Sequence, residues 1–193
     1  MDTHGLLRNT IVIVTSDHGE MLGEHGLYLH RNGVYREGIR VPLIIFWKDH
    51  VPAGRRAPRS VTLAALPATI FDLIAEDAAV FRERSLVPLW QADPPREWPW
   101  PIAELAQLRF EARGNPAREG AFVSVVTPRW HYIFQENRGH SLFEVVSDPR
   151  EMRDMAGEEP SLVRALAEYA NGLRGPRGAA IPVVAPEPVG GRP

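Results

Sequence analysis

The sequence predicts an α/β protein that closes with antiparallel strands and a helix. Three observations carry that reading. Two consecutive apolar runs, "NTIVIVTS" and "VPLIIFW", flank a long polar connection. A helical pattern, "LPATIFDLIAED", follows them. Composition then changes to alternating strand-like segments and a last amphipathic stretch.

The elements follow in chain order. "GLLRN" (Gly5 to Asn9) reads as a helix end or turn. "NTIVIVTS" (Asn9 to Ser16) is β-branched and apolar on successive positions. That pattern suits a parallel strand covered on both faces. "VPLIIFW" (Val41 to Trp47) is a run of the same kind. The connection between them is punctuated by Gly19, Gly23, Gly26, Gly33 and Gly38. A polar connection of that length points to function. In "LPATIFDLIAED", Pro67 fits the first helical turn, and Leu66, Ile70, Phe71 and Ile74 share a face. Residues Val87 to Pro101, rich in Pro and Trp, read as an irregular crossing segment. "AFVSVVTPRWHYIFQE" and "HSLFEVVSD" read as antiparallel strands, with Asn137 to Gly139 as a hairpin turn. A helix over about Pro160 to Leu173 carries a stripe of Leu162, Val163, Leu166, Tyr169, Ala170 and Leu173, and "RGP" ends it. The tail Pro176 to Pro193 is Pro/Gly-rich and expected to be disordered.

Composition narrows the function classes. The chain has 193 residues and a net charge of −2, so it lacks the basic footprint of a nucleic-acid binder. No apolar run approaches a membrane span. There is no cysteine, which excludes disulfides and thiolate metal sites. Lys48 is the only lysine, so a catalytic cation must come from elsewhere.

"TSDHGEMLGEHGLYLH" (Thr15 to His30) concentrates the ligand-type side chains. Asp17 and His18 stand just beyond the first strand, where open α/β sheets bind ligands. A carboxylate beside an imidazole can hold a divalent cation, and Gly19 lets the backbone turn. The same residues also suit a plain polar turn. His18, His25 and His30 lack the spacing of helical metal motifs, and His25 reads as a hydrogen-bonded loop histidine. His30 and Arg31 could bind an anionic oxygen, and a histidine can protonate a leaving alkoxide. A surface His-Arg pair is the alternative.

The block "NTIVIVTSDHGEMLGEHGLYLHRNGVYREGIRVPLII" resembles the sulfatase family of the alkaline-phosphatase-like superfamily. The shared pattern is an apolar strand, S-D-H/N-G-E, G-E-H-G, a Lys or His, then Y-x-E-x-x-R-V-P-L-I-I. "VTLAALPATIFDLI", "RSLVPLW" and "SLFEVVSDPREMRDMAGEEPSLVRAL" resemble later segments of the family, in the same order.

The resemblance implies a partial alkaline-phosphatase-like α/β/α sandwich around a mixed sheet, followed by a small antiparallel sheet with a C-terminal helix. It places the C-terminal part of the catalytic domain at 1–100, the antiparallel-sheet subdomain at 101–175, and the tail at 176–193. It implies hydrolysis of sulfate esters, on a small molecule or a glycan, with no nucleic-acid partner and no membrane segment. Asp17 and His18 match metal ligands, with calcium expected and magnesium or manganese as alternatives. His30 matches the residue that contacts the sulfate and assists the leaving oxygen, and Arg31 could share the anion. Glu20, Glu24 and His25 are expected as loop scaffolding; Tyr35, Glu37, Arg40 and Pro42 as loop anchors.

One departure stands out. The family's formylglycine nucleophile arises in C/S-x-P-x-R, and no such segment occurs here. "SDPRE" at Ser147 has Glu151 where Arg is required. The expectation is therefore the C-terminal portion of a sulfatase, without the nucleophile segment. A phosphonate or phosphate ester hydrolase of the same superfamily is the first alternative. A non-catalytic metal- or partner-binding domain is the second.

Overall fold

The structure is a computed structural model that describes residues 4–57 and 59–174. The elements, in order, are β1 (Val12–Thr15), β2 (Met21–Leu22), β3 (Tyr28–Leu29), the single turn α1 (Arg36–Ile39) and β4 (Leu43–Phe46). They continue with α2 (Leu66–Leu73), β5 (Ile102–Leu105), the single turn α3 (Pro116–Glu119), β6 (Phe122–Val126), β7 (Trp130–Gln135), β8 (Gly139–Glu144) and α4 (Pro160–Arg174). The described residues form two compact units: 4–17 with 41–101 (58 excepted), and 18–40 with 102–174. The expected tail, 176–193, lies outside the described residues.

In the first unit a short 3₁₀ turn over Leu6–Asn9 leads into β1, as "GLLRN" suggested. The two apolar runs do pair, but antiparallel, from Val12 opposite Phe46 to Thr15 opposite Leu43. Nor are both faces covered: Val14, Ile44 and Phe46 are exposed. A run of consecutive apolar residues signals burial but carries no direction, and the long connection lets the chain double back.

Helix α2 starts as expected, with Pro67 in its first turn, but stops at Leu73. Ala75 takes φ 60°, and the Glu76 amide bonds back to the Phe71 carbonyl. The buried residues of α2 are Ala68 and Thr69, whereas Phe71 and Ile74 are exposed. Thr69 Oγ1 donates to the Ala65 carbonyl at 2.7 Å and accepts from the Leu86 amide at 2.9 Å. A polar residue therefore fixes this helix, and Phe71 instead meets Phe81 edge-on at 4.8 Å. The segment after Leu86 is irregular apart from a 3₁₀ turn over Val87–Trp90.

The second unit is built on the four-stranded antiparallel sheet β5-β6-β7-β8. Strand β5 escaped the sequence pattern, because Ala103 and Glu104 are weak strand formers held by pairing to β6. Thr127 organises the β6–β7 turn: its Oγ1 accepts from the Trp130 amide at 2.8 Å. The β7–β8 hairpin falls where expected, with Gln135 opposite Gly139 and Gly139 at φ 87°.

Alternation along the strands gives this sheet two apolar faces. On one face Val123, Val125, Tyr132, Phe134 and Leu142 pack against Val163, Leu166, Ala167 and Ala170 of α4. On the other, Phe122, Ile133 and Phe143 pack with Val34 and Ala117, with Tyr35 and Ile39 alongside. The polar connection that carries the candidate residues is thus part of the core of this unit.

Candidate functional site

Asp17 is exposed in the bend that follows β1, in the first unit. Ser16 Oγ lies 3.4 Å from its Oδ1. The next residue, His18, opens the second unit. His18 Nδ1 is 2.7 Å from the Gly19 carbonyl oxygen. A carbonyl only accepts, so Nδ1 carries the proton and Nε2 holds the lone pair suited to a metal. Gly19 is required here by close packing. Its amide donates to the Gly38 carbonyl at 2.8 Å, and a Cβ would overlap the Glu37 carbonyl.

Strands β2 and β3 bring distant residues together. Met21 faces Leu29 and Leu22 faces Tyr28, so the residues just outside the ladder, Glu20 and His30, become neighbours. Glu20 Oε2 accepts from His30 Nδ1 at 3.3 Å. The His30 ring stacks on His18 at 4.1 Å between centroids, with 25° between planes. Each of His18, Glu20 and His30 offers one ligand atom within 4.8 Å of the others. Leu29 and Arg31, on either side of His30, both take left-handed backbone, at φ 69° and 65°. Non-glycine residues at such angles cost energy and cluster at functional sites. Arg31 itself is exposed.

The structure therefore gathers His18 and His30, and adds Glu20, which looked like scaffolding from sequence. Nothing in the spacing of Glu20 and His30 announces the pair, because a two-residue ladder is too short to show a period. Glu24 serves the loop itself. It accepts from the Leu22 amide at 2.6 Å, which holds its carboxyl below the usual carboxylate value. The donor set at His18, Glu20 and His30, two imidazoles and a carboxylate, suits a divalent cation.

An α/β unit and an antiparallel sheet with a C-terminal helix make up a fold of the alkaline-phosphatase-like class. Within that class the chain is similar to sulfatases: the family model Sulfatase matches residues 1–76. It is 27% identical over 165 residues to arylsulfatase K of Rattus norvegicus, covering 83% of this chain and 29% of that one. A protein solved in complex with its substrate, D-glucosamine-2-N,6-O-disulfate, aligns at TM-score 0.70 and 25% identity, over 90% of this chain and 35% of that one. Phosphonate monoester hydrolase of Agrobacterium radiobacter shares the fold at TM-score 0.74 and 24% identity, over 90% of this chain and 36% of that one. The chain thus spans about a third of the length of the proteins it matches. The sulfatase family implies a divalent metal. No helix among the described residues is long and apolar enough to cross a membrane.

Proposed function

We propose that this chain supplies the metal-binding and leaving-group side of a sulfate-ester hydrolase. The observation that carries the reading is the Glu20–His30–His18 cluster, which includes the histidine of the Asp-His pair. Asp17 and His18 would hold the divalent cation, which polarises a bound ester. Calcium is the metal expected from the resemblance. An imidazole in place of a second oxygen ligand shifts the preference toward manganese.

The chain's own residues do the rest. Gly19 O fixes the His18 tautomer. Glu20 holds His30 through Nδ1, leaving Nε2 to meet the ester oxygen and deliver a proton to the departing alkoxide. Arg31, always charged, adds a bidentate donor for the anion. The segment from which the family's formylglycine nucleophile arises does not occur in this sequence. The substrate is a sulfate ester of a small molecule or a glycan.

Domain boundaries at 1–100 and 101–175 belong to the same proposal. A phosphonate ester as substrate is the second reading, favoured by the fold shared with the phosphonate monoester hydrolase.

Two measurements test this. Calorimetric titration of Ca²⁺, Mg²⁺ and Mn²⁺ into the chain should show binding that is lost in Asp17→Ala and in His18→Ala. Retained binding in both would overturn the metal assignment. The chain alone should show negligible turnover of paired aryl sulfate and aryl phosphonate esters. Multiple turnovers from it would sink the reading of an incomplete site.

A further inference from the structure

A second group of ligand-type side chains lies apart from the residues used above. His25, Glu37 and Glu151 each present one ligand atom within 4.8 Å of the other two. His25 Nε2 stands 3.7 Å from Glu37 Oε2. Both atoms are sealed from solvent, and neither has a hydrogen-bond partner among the described residues. The His25 side chain is only 10% exposed. Its ring lies flat on Tyr35, 3.8 Å between centroids and 11° between planes, so it cannot swing away. Buried polar atoms are nearly always paired, and two facing each other unpaired mark a missing occupant.

Glu151 completes the group. Its side chain is wholly buried, and its backbone takes φ 55°. Oε1 accepts from His131 Nδ1 at 2.6 Å and Oε2 from the Arg36 amide at 3.1 Å. A carboxylate has about four lone-pair sites, so these two bonds leave capacity for a further ligand. An orienting hydrogen bond from a histidine is what supports a metal-binding carboxylate.

We propose that His25, Glu37 and Glu151 bind a Zn²⁺ ion, at a site separate from Asp17 and His18. One imidazole and two carboxylates in a dry setting match zinc; calcium would need six or more oxygens. Tetrahedral zinc with bonds near 2.1 Å places neighbouring ligand atoms about 3.4 Å apart. The His25–Glu37 distance of 3.7 Å is already close to that. No separation in the group exceeds 4.8 Å. Closure by at most about 1.4 Å is within reach of soft terminal carboxylate torsions. The ion would tie residues 25 and 37 of the long connection to the segment after β8, and so hold the connection on its sheet. The inference is independent of the sulfate-ester reading, and either can fail alone.

The experiment uses the full chain, stripped with a chelator, on a His18→Ala/His30→Ala background that disables the first cluster. Equilibrium dialysis against Zn²⁺ should load one equivalent. His25→Gln and Glu37→Gln on that background should each weaken binding 100-fold or more. A background protein that binds no Zn²⁺, or Gln variants that bind as it does, would overturn the proposal. Should both variants fail to fold, X-ray absorption of zinc on the background protein decides. One imidazole with oxygen ligands supports the site; none, or two or more, refutes it.

Discussion

Glu20 and His30 meet across ten positions because β2 and β3 pair by only two residues each. Glu20 is 40% exposed, so its carboxylate does little for stability. Its value lies in orienting His30 beside His18. Glu20→Gln should therefore leave the denaturation midpoint nearly unchanged. Divalent-cation affinity should fall about 10- to 100-fold, because the Glu20 carboxylate is also one of the donors within 4.8 Å of His18. Unchanged affinity by calorimetry would detach Glu20 from the site. Gly19 behaves oppositely. A methyl group there meets the Glu37 carbonyl, and backbone cannot retreat as a side-chain tip can. Gly19→Ala should cost about 1–3 kcal/mol, read by urea denaturation, because it overpacks a fixed contact.

The secondary elements divide by how much of their cause lies in their own residues. Helix α4 was legible because its stripe repeats at helical spacing: of its buried positions, Val163, Leu166 and Ala170 belong to the stripe, and only Ala167 does not. The hairpin at Asn137–Gly139 was legible because only a few residues tolerate its backbone. The direction of β1 was not, since pairing partners are chosen across the chain. Helix α2 misled because Thr69 is buried by two hydrogen bonds that no hydropathy pattern records. At the candidate site, the motif singled out Asp17, His18 and His30 but not the stacking of His18 on His30. The Glu20 contact and the His25–Glu37–Glu151 group depend on turns and long-range packing. Strand β7 supplies a prediction of its own. Burial raises the Tyr132 hydroxyl well above its ordinary pKa of 10.0, and Tyr35 is raised too, chiefly by burial. In the unfolded chain both ionise near the ordinary value. Their contribution is thus complete below about pH 10 and is lost as pH climbs toward the folded values. Stability should fall between pH 9 and 11, and Tyr132→Phe should make the fall shallower without abolishing it. An unchanged slope of denaturation midpoint against pH would contradict this.

At the scale of the second unit, one sheet serves two cores with different duties. The face against α4 contains no candidate ligand; Leu166 there is 1% exposed. The opposite face holds Val34 and Tyr35, and Tyr35 both touches Phe143 at 6.2 Å and stacks on His25. The connection bearing His18, Glu20 and His30 is therefore anchored through the second core, and by hydrogen bonds from Arg36 to Glu151, Val145 and Pro149. Truncation of either core should destabilise: Leu166→Ala by about 2–5 kcal/mol and Phe143→Ala by about 3–5 kcal/mol. Their effects on the ligand residues should differ. Under conditions where both variants stay folded, Leu166→Ala should bind divalent cations with the affinity of the unaltered chain. Phe143→Ala should bind them more weakly, because the cavity frees Tyr35 and with it the connection. Calorimetric titration beside urea denaturation separates the two quantities. Equal losses of affinity in both variants would mean that the sheet transmits disturbance to the site as one body, and that the second core has no special part in placing it.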